Sequence, residues 1–411
     1  MFHENFDSLW RAVALGEEAD LSAALDAIDA YCAEEGCAPR FMAVPRPALP
    51  DLLLRYPRLR MDNFRPSQDY LYHAEDLAAF AGRRYSGQRN HINKFRKACP
   101  EARFRVITPA DREELEAFWE EFHQTFHKEN ATAKKELCYA RAFSRLIGEP
   151  WVLAGALELE GRFIAIAIGE ICGDTLHCHI EKALTQYEGV YPAMVQAFSA
   201  QFGGAVQWIN REDDSGDPGL RTSKLQYLPA AMGEKYLVEA QNELHGIARL
   251  PVIHTQRLTL DALTPADVPA YNRLCLDDER NRWWGYDYRQ DLRGKLTERW
   301  FLNVARRDFR DRTAANLAIR LDGALIGEIV LYHFDYKGGA ELGCRILPEF
   351  AGQGYGAEAF AAAADWALYG LGLYLLRAKC FKENTASYKM LSPRMRPAGE
   401  DETYFYFERK V

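Results

Sequence analysis

The chain has 411 residues, 48% of them apolar and 27% charged, with a formal net charge of −8. That length calls for more than one domain, and the balance is that of ordinary globular protein, which excludes fibrous and wholly disordered chains. Apolar runs such as Phe163 to Ile168 fall far short of the ~18 residues that cross a bilayer, so no membrane span is expected. The start, Met1-Phe-His-Glu-Asn-Phe, lacks the basic and apolar regions of a secretory leader. Nine cysteines, an odd number without a C-x2-C clip, point to reduced thiols, a cytoplasmic location and no metal.

In chain order, residues 1–100 predict helices near 20–35 and 75–81, strands near 40–44 and 69–73, and a basic helix near 87–98. A repeat then opens. Ile107-Thr-Pro-Ala-Asp111 recurs as Leu263-Thr-Pro-Ala-Asp267. Thr at the N-cap, Pro at the first helical position and Asp at the third make a strong helix start. Leu159-Glu-Gly-Arg-Phe-Ile164 recurs as Leu321-Asp-Gly-Ala-Leu-Ile326 at nearly the same offset, each a tight hairpin between apolar runs. The chain therefore carries two copies of one architecture. The first copy has strands near 151–159, 162–171 and 175–182, a helix at 190–202 and a strand at 205–210. Polar Gln241 to Gly246 is expected to be a linker. The second copy has a strand near 257–262, helices near 265–276 and 290–306, and strands near 315–321, 325–334 and 340–347. Helix 355–369, strand 374–381, a short helix from Asn384 and a strand near 403–409 complete it. An antiparallel meander that crosses through a helix into another strand is a mixed α/β layer.

The sharpest local signal is Glu341-Leu-Gly-Cys-Arg-Ile-Leu-Pro-Glu-Phe-Ala-Gly-Gln-Gly-Tyr-Gly-Ala-Glu358. A strand runs into a glycine turn that opens a helix, the geometry in which backbone N–H groups hold a pyrophosphate. No Lys-Ser/Thr follows, as a P-loop would require, and no βαβ repeat surrounds it. Three carboxylates near the strand ends, Glu341, Glu328 and Glu349, are candidates for a proton acceptor. Trp283-Trp284-Gly-Tyr286 is an aromatic loop. His123 and His127, and the group Cys172, His177, Cys178 and His179, have spacings that touch on metal binding. The first lacks the Glu of H-E-x-x-H, and strand alternation parts the second, with His177 and His179 on one face and Cys178 on the other.

A second signal is the reversal of charge between residues 81 and 105, where eight lysines and arginines meet one acid, Glu101. It suits phosphate or an RNA backbone. Arg84, Arg89, Asn90 and Lys94 lie in this segment, and Arg211, Arg221 and Lys224 lie in the charged loop Asn210-Arg-Glu-Asp to Lys224. These seven are the candidate anion-binding residues.

Two resemblances follow from these motifs. Residues 252–411, with Thr255-Gln-Arg-Leu-Thr-Leu260, the glycine turn and Asn384-Thr-Ala-Ser387, resemble GCN5-related N-acetyltransferases (GNAT) of the ribosomal-protein N-terminal type. The resemblance implies transfer of an acetyl group from acetyl-CoA to an amine, on a small molecule or a peptide N-terminus. It implies that Ile346, Leu347, Gly352, Gln353, Gly354, Tyr355, Gly356, Ala357 and Asn384 bind the coenzyme. It also implies that the aromatic loop Trp283 to Tyr286 is a lid over an acceptor site. The catalytic candidates are Ser387, Tyr388 and Glu341. The long side chain that opens the family's glycine motif is replaced by Ala351, and a tyrosine of some relatives by Leu391. Residues 1–240, with Asp69-Tyr-Leu-Tyr72, Tyr85-Ser-Gly-Gln-Arg-Asn-His-Ile-Asn-Lys-Phe95 and Asn210-Arg-Glu-Asp…Gly219-Leu-Arg-Thr-Ser-Lys-Leu-Gln-Tyr227, resemble the C-terminal domain of phosphatidylglycerol lysyltransferases, a tandem of GNAT-like folds. The expected fold is mixed α/β, mostly antiparallel sheets flanked by helices, with three GNAT-like folds in tandem. The expected domains are 1–245, in halves of about 1–100 and 101–245, and 247–411. Two other readings stand beside the acetyltransferase: an aminoacyl-tRNA-dependent transferase centred on the N-terminal pair, with tRNA or a phosphorylated ligand as partner, and a GNAT-fold binding protein without catalysis.

Overall fold

A computed structural model of the chain describes residues 21–125, 131–285, 288–292 and 294–411. They form two compact units, one of Asn63–Tyr236 and one that joins the residues up to Asp62 to Leu237–Val411. The sheets are mixed, mostly antiparallel and flanked by helices, as expected, and they are three in number, with three, seven and eight strands.

In the unit Asn63–Tyr236 the sheet order is Arg103–Val106, Leu153–Leu159, Arg162–Cys172, Thr175–Ala183, Trp208–Asn210, Asp69–His73, Ala231–Gly233. Only Thr175–Ala183 and Trp208–Asn210 run parallel. Phe163 to Ile168 are buried without alternation, because both faces of that central strand are covered. Helices Arg112–Thr125 and Val190–Phe202 pack on it. The eight-stranded sheet repeats the plan in the order Ile253–His254, Leu258–Ala262, Ala315–Leu321, Ala324–Tyr332, Gly339–Ile346, Leu375–Phe381, Tyr404–Lys410, Arg396–Glu400. Its one parallel pair is Gly339–Ile346 with Leu375–Phe381. One core lies between this sheet and helix Tyr355–Asp365, and a second holds residues of helices Val268–Cys275 and Trp300–Arg310.

The repeat signals act as read. Thr108 and Thr264 each open a capping box, in which the Thr backbone N–H donates to Asp111 or Asp267 at 2.7 Å. Both hairpins turn on two residues with positive φ, Glu160 with Gly161 and Asp322 with Gly323.

Two sequence expectations change. Gln241 to Gly246 is no linker: Asn242, Glu243 and Leu244 are buried, Leu244 in the core of the sheet. The Asn242 amide donates to the Arg312 carbonyl at 2.7 Å, which fastens the segment to the C-terminal unit. By packing, the described residues up to Asp62 join the C-terminal part. Asp29, on helix Leu21–Glu35, accepts from Tyr56 Oη at 2.7 Å and pairs with Lys337. Finally, the helix expected at 290–306 begins at Trp300, and a short one, Asp278–Trp284, precedes it. Seven mostly polar residues carry little periodicity, so its signal is only the Asp277 cap, which accepts from Arg280 N at 2.8 Å.

Candidate active site

The site grows out of the parallel pair. Strands Gly339–Ile346 and Leu375–Phe381 stay in register for Gly339, Ala340 and Glu341 opposite Leu375, Leu376 and Arg377. Beyond Glu341 each follows its other neighbour: the first remains paired to Ala324–Tyr332, the second to Tyr404–Lys410. The sheet therefore opens after Glu341. A cavity of about 50 Å³ occupies the opening. Strand alternation sends Leu342 and Cys344 toward the core of helix Tyr355–Asp365, where Phe360, Met390 and Leu391 meet them, with Ser387 on the lining. Gly343 faces the other way, under Trp284 and Tyr332. Trp283, Lys379, Cys380, Phe381 and Tyr404 complete the lining. Phe381 and Tyr404 pack with ring centres 4.5 Å apart, and Trp283 meets Phe381 edge-on at 6.0 Å.

On the core side stands the glycine turn. Gly352 and Gly354 have φ of +76° and +83°, a backbone that residues with a Cβ rarely adopt. Gly354 is the N-cap of helix Tyr355–Asp365, and no side chain caps the first turn. The leading N–H groups, from Tyr355 through Ala357, thus lack the partner that Thr108 and Thr264 supply elsewhere, and the positive end of the helix dipole adds to them. The other expected coenzyme residues differ in kind. Leu347 is buried, its N–H already donates to Ile326 O at 2.8 Å, and its carbonyl accepts from Phe350 N at 3.0 Å. Ile346 is paired to Gly327 and packs on the core. Gln353 Nε2 reaches Glu349 O at 3.4 Å. The Asn384 side chain accepts from Ser387 N at 3.0 Å, which caps the short helix Thr385–Leu391 and fixes Ser387 at the cavity.

Of the catalytic candidates, Ser387 lines the cavity and Tyr388 does not. Tyr388 packs on Phe405 and Phe407, with ring centres at 5.0 and 5.8 Å. A short helix that turns one residue to the cleft turns the next away. Glu341 sits where the strands part, with Oε2 buried and without a hydrogen bond, 3.5 Å from His333 Nδ1 and 3.8 Å from Lys379 Nζ. Burial pushes its pKa up, but His333 and Lys379 outweigh that and hold it below the ordinary glutamate value. Glu328 is wholly buried, paired with Arg345 and accepting from Tyr271 Oη at 2.8 Å, so it is a core hub rather than a base. Glu349 is a surface partner of Arg273 at 2.8 Å. Tyr286 and His127 lie outside the described residues.

Sequence reasoning passed over Arg257. Its N–H and Nε donate to Glu358 at 2.8 and 2.7 Å, Nη1 donates to Gln353 O at 3.1 Å, and its guanidinium lies 4.5 Å from the Tyr355 ring centre. The signal was present in Thr255-Gln-Arg-Leu258, which the resemblance quoted without giving any of its residues a role.

In the other unit the matching features are filled. Strand Thr175–Ala183 parts from Trp208–Asn210 after three residue pairs. Arg211, fully buried, bridges to Glu181 with Nε 2.9 Å from Oε1, its guanidinium over the Tyr227 ring at 4.3 Å. Lys224 is buried too, donating to the carbonyls of Arg211 and, at 3.2 Å, Glu212. Burial, with Arg211 nearby, lowers its pKa. Arg221 pairs with buried Asp214 at 2.8 Å, and Tyr70 Oη donates to the same carboxylate at 2.6 Å. The structure thus brings Arg211, Arg221 and Lys224 into one cluster, already paired. Arg84 pairs with Asp76 at 2.5 Å, Arg89 donates to Gly82 O at 2.6 Å, and Lys94 pairs with Glu188 at 2.8 Å. Asn90 is exposed on the helix Ser86–Ala98. That helix crosses the turn that leads into Val190–Phe202: a Cβ on Gly189 would stand 2.2 Å from His91 O. His177 and His179 stack on one face as expected, Cys178 is buried, and His179 lies between Glu212 at 2.7 Å and Glu170 at 3.0 Å. Among the described residues no group of His, Cys, Asp or Glu could hold a metal, and no helix is long and apolar enough to cross a membrane.

Residues 13–239 match the family model of "Phosphatidylglycerol lysyltransferase, C-terminal". The chain belongs to that family. Residues 257–392 match the model "Acetyltransferase (GNAT) domain", so an acyltransferase domain follows. An uncharacterised protein of Mycoplasmoides gallisepticum is 24% identical over 174 residues, 42% of this chain and 56% of the relative; the chain thus spans about half the length of that relative. A Bacteroides thetaiotaomicron protein of unknown function is 30% identical, covering 57% of this chain and 80% of its own, with a TM-score of 0.48. An Agrobacterium tumefaciens acetyltransferase is 26% identical, covering 40% of this chain and 97% of its own, with a TM-score of 0.33.

Proposed function

We propose that the C-terminal domain transfers an acetyl group from acetyl-CoA to an amine. The observation that carries the reading is the uncapped helix start at Gly354, beside a sheet opened after Glu341, within a domain of the acetyltransferase family. The N–H groups after Gly354 take the diphosphate, and the pantetheine runs along the opened edge toward the cavity. The amine enters past Trp283 and Trp284 from the opposite face. Its nitrogen attacks the thioester carbonyl; as the tetrahedral intermediate collapses the C–S bond breaks, the departing thiolate takes a proton from Ser387 Oγ, and the second proton of the nitrogen, passed directly or through water, restores the hydroxyl. Glu341, ionised at neutral pH, holds the incoming ammonium and starts its proton toward His333 and solvent.

Calorimetry of the full chain with acetyl-CoA tests the reading. Gly354→Asp puts a carboxylate beside the diphosphate and strains a φ of +83°, so affinity is expected to fall by more than about 10-fold, or ~1.4 kcal/mol. Equal affinity in a folded Gly354→Asp variant overturns it.

A further inference from the structure

The glycine turn lacks the long side chain that would meet a phosphate from position 351, where Ala351 stands exposed. A guanidinium reaches the same turn from elsewhere in the domain. Thr255 Oγ1 accepts from Leu258 N at 2.9 Å, which closes a tight turn just before strand Leu258–Ala262. The same hydroxyl donates to Glu358 at 2.6 Å. This turn aims Arg257 across to the start of helix Tyr355–Asp365. There Nε is taken by Glu358 and Nη1 by the Gln353 carbonyl, and one flat face lies on Tyr355. Nη2 has no acceptor among the described residues, and it lies 3.4 Å from where a Gly354 Cβ would stand. It therefore borders the space that only a glycine leaves open.

We infer that Arg257 is a diphosphate-binding residue of this turn, the cation that position 351 does not provide. The inference rests on the acetyl-CoA reading and adds the group that recognises the charged part of the coenzyme. A guanidinium clamped on two sides and stacked on a ring keeps its remaining N–H groups fixed, so little freedom is lost when a phosphate oxygen meets them. Glu358 does not cancel this role. It is an acidic residue in the first helical turn, which the dipole favours, and it orients the guanidinium as a fork. Lysine would keep the charge at this site but neither the fork nor the stacking.

The test uses the full chain with two acyl donors, acetyl-CoA and S-acetylpantetheine, which lacks the diphosphate. Arg257→Ala should weaken acetyl-CoA binding about 10-fold or more, the loss of a charge-assisted hydrogen bond, while KM for S-acetylpantetheine and kcat stay near wild type. Arg257→Lys should recover part of the loss. Arg257→Ala with Glu358→Gln should remain weak, because the phosphate contact is still missing. Three results overturn the inference alone: undiminished acetyl-CoA binding in Arg257→Ala, an equal loss for both donors, or wild-type affinity in the double variant. Absence of acetyl-CoA binding by the wild type overturns the proposed function itself, and this inference with it.

Discussion

Trp284 lies against the backbone of Gly343 so closely that a Cβ at 343 would stand 2.6 Å from Cη2 of the indole. The lid thus rests on the strand at the point where the sheet opens. Arg345, two residues on, lies over the same indole at 5.0 Å. Gly343→Ala must therefore move the lid or the strand. Overpacking of this kind costs about 1–3 kcal/mol. Acyl transfer is expected to fall about 10-fold, with the tryptophan fluorescence altered, since a shift of about 1 Å can cost more than that. Unchanged kinetics would show that Trp284 does not shape the acceptor side.

Ser387 and Tyr388 are neighbours with opposite surroundings, one on the cavity and one on Phe405 and Phe407. On the proposed mechanism, in which its proton meets the leaving thiolate, Ser387→Ala should lower kcat more than it weakens acetyl-CoA binding. Tyr388→Phe should leave kcat within about twofold, since Tyr388 is not on the cavity lining. The reverse pattern would move the acid to Tyr388.

Glu328 and Arg345 pair in the core, both almost without exposure. Removing one partner leaves a buried charge alone, so Glu328→Gln or Arg345→Met should each cost about 3–5 kcal/mol in urea unfolding. Replacing both by apolar residues of similar volume should cost less than either. If activity vanished in a variant of full stability, Glu328 would be more than a core hub.

Asp214 gives the other unit a pH dependence. Arg221 first, against the opposing effect of burial and with help from Tyr70, holds its carboxyl well below the ordinary 3.8. A depressed folded pKa contributes stability that is present above the unfolded value and lost as pH falls through the folded one. Asp214→Asn should therefore unfold at lower temperature than wild type at pH 7, and the gap should narrow steadily below about pH 4. A gap constant down to pH 2 would assign the loss to packing alone.

Much of this was legible without a structure because its causes are local. Thr108 with Asp111 and Thr264 with Asp267 act across three residues, and Glu160-Gly161 and Asp322-Gly323 turn within two. Such signals survive in the sequence whatever surrounds them, and they revealed the repeat, the order of strands and the glycine turn. Charge is different. Eight basic residues between 81 and 105 suit a phosphate or an RNA backbone in the sequence; in the structure Arg84 and Lys94 stay exposed and pair with Asp76 and Glu188. The acids that pair with those two come from other elements of the fold, which no local pattern announces.

Sequence by itself thus determined the mixed α/β plan, its duplication and the turn that opens helix Tyr355–Asp365, because backbone preferences and hydrophobic period are properties of neighbours along the chain. Only tertiary structure decided which turn keeps its amides uncovered, which glutamate is buried under Arg345 and which residue, Arg257, reaches the glycines. It also decided that the described residues up to Asp62 join Leu237–Val411 in one compact unit. Burial and ion pairing join residues far apart in sequence, and their energies depend on what the fold removes from water, which no local pattern records.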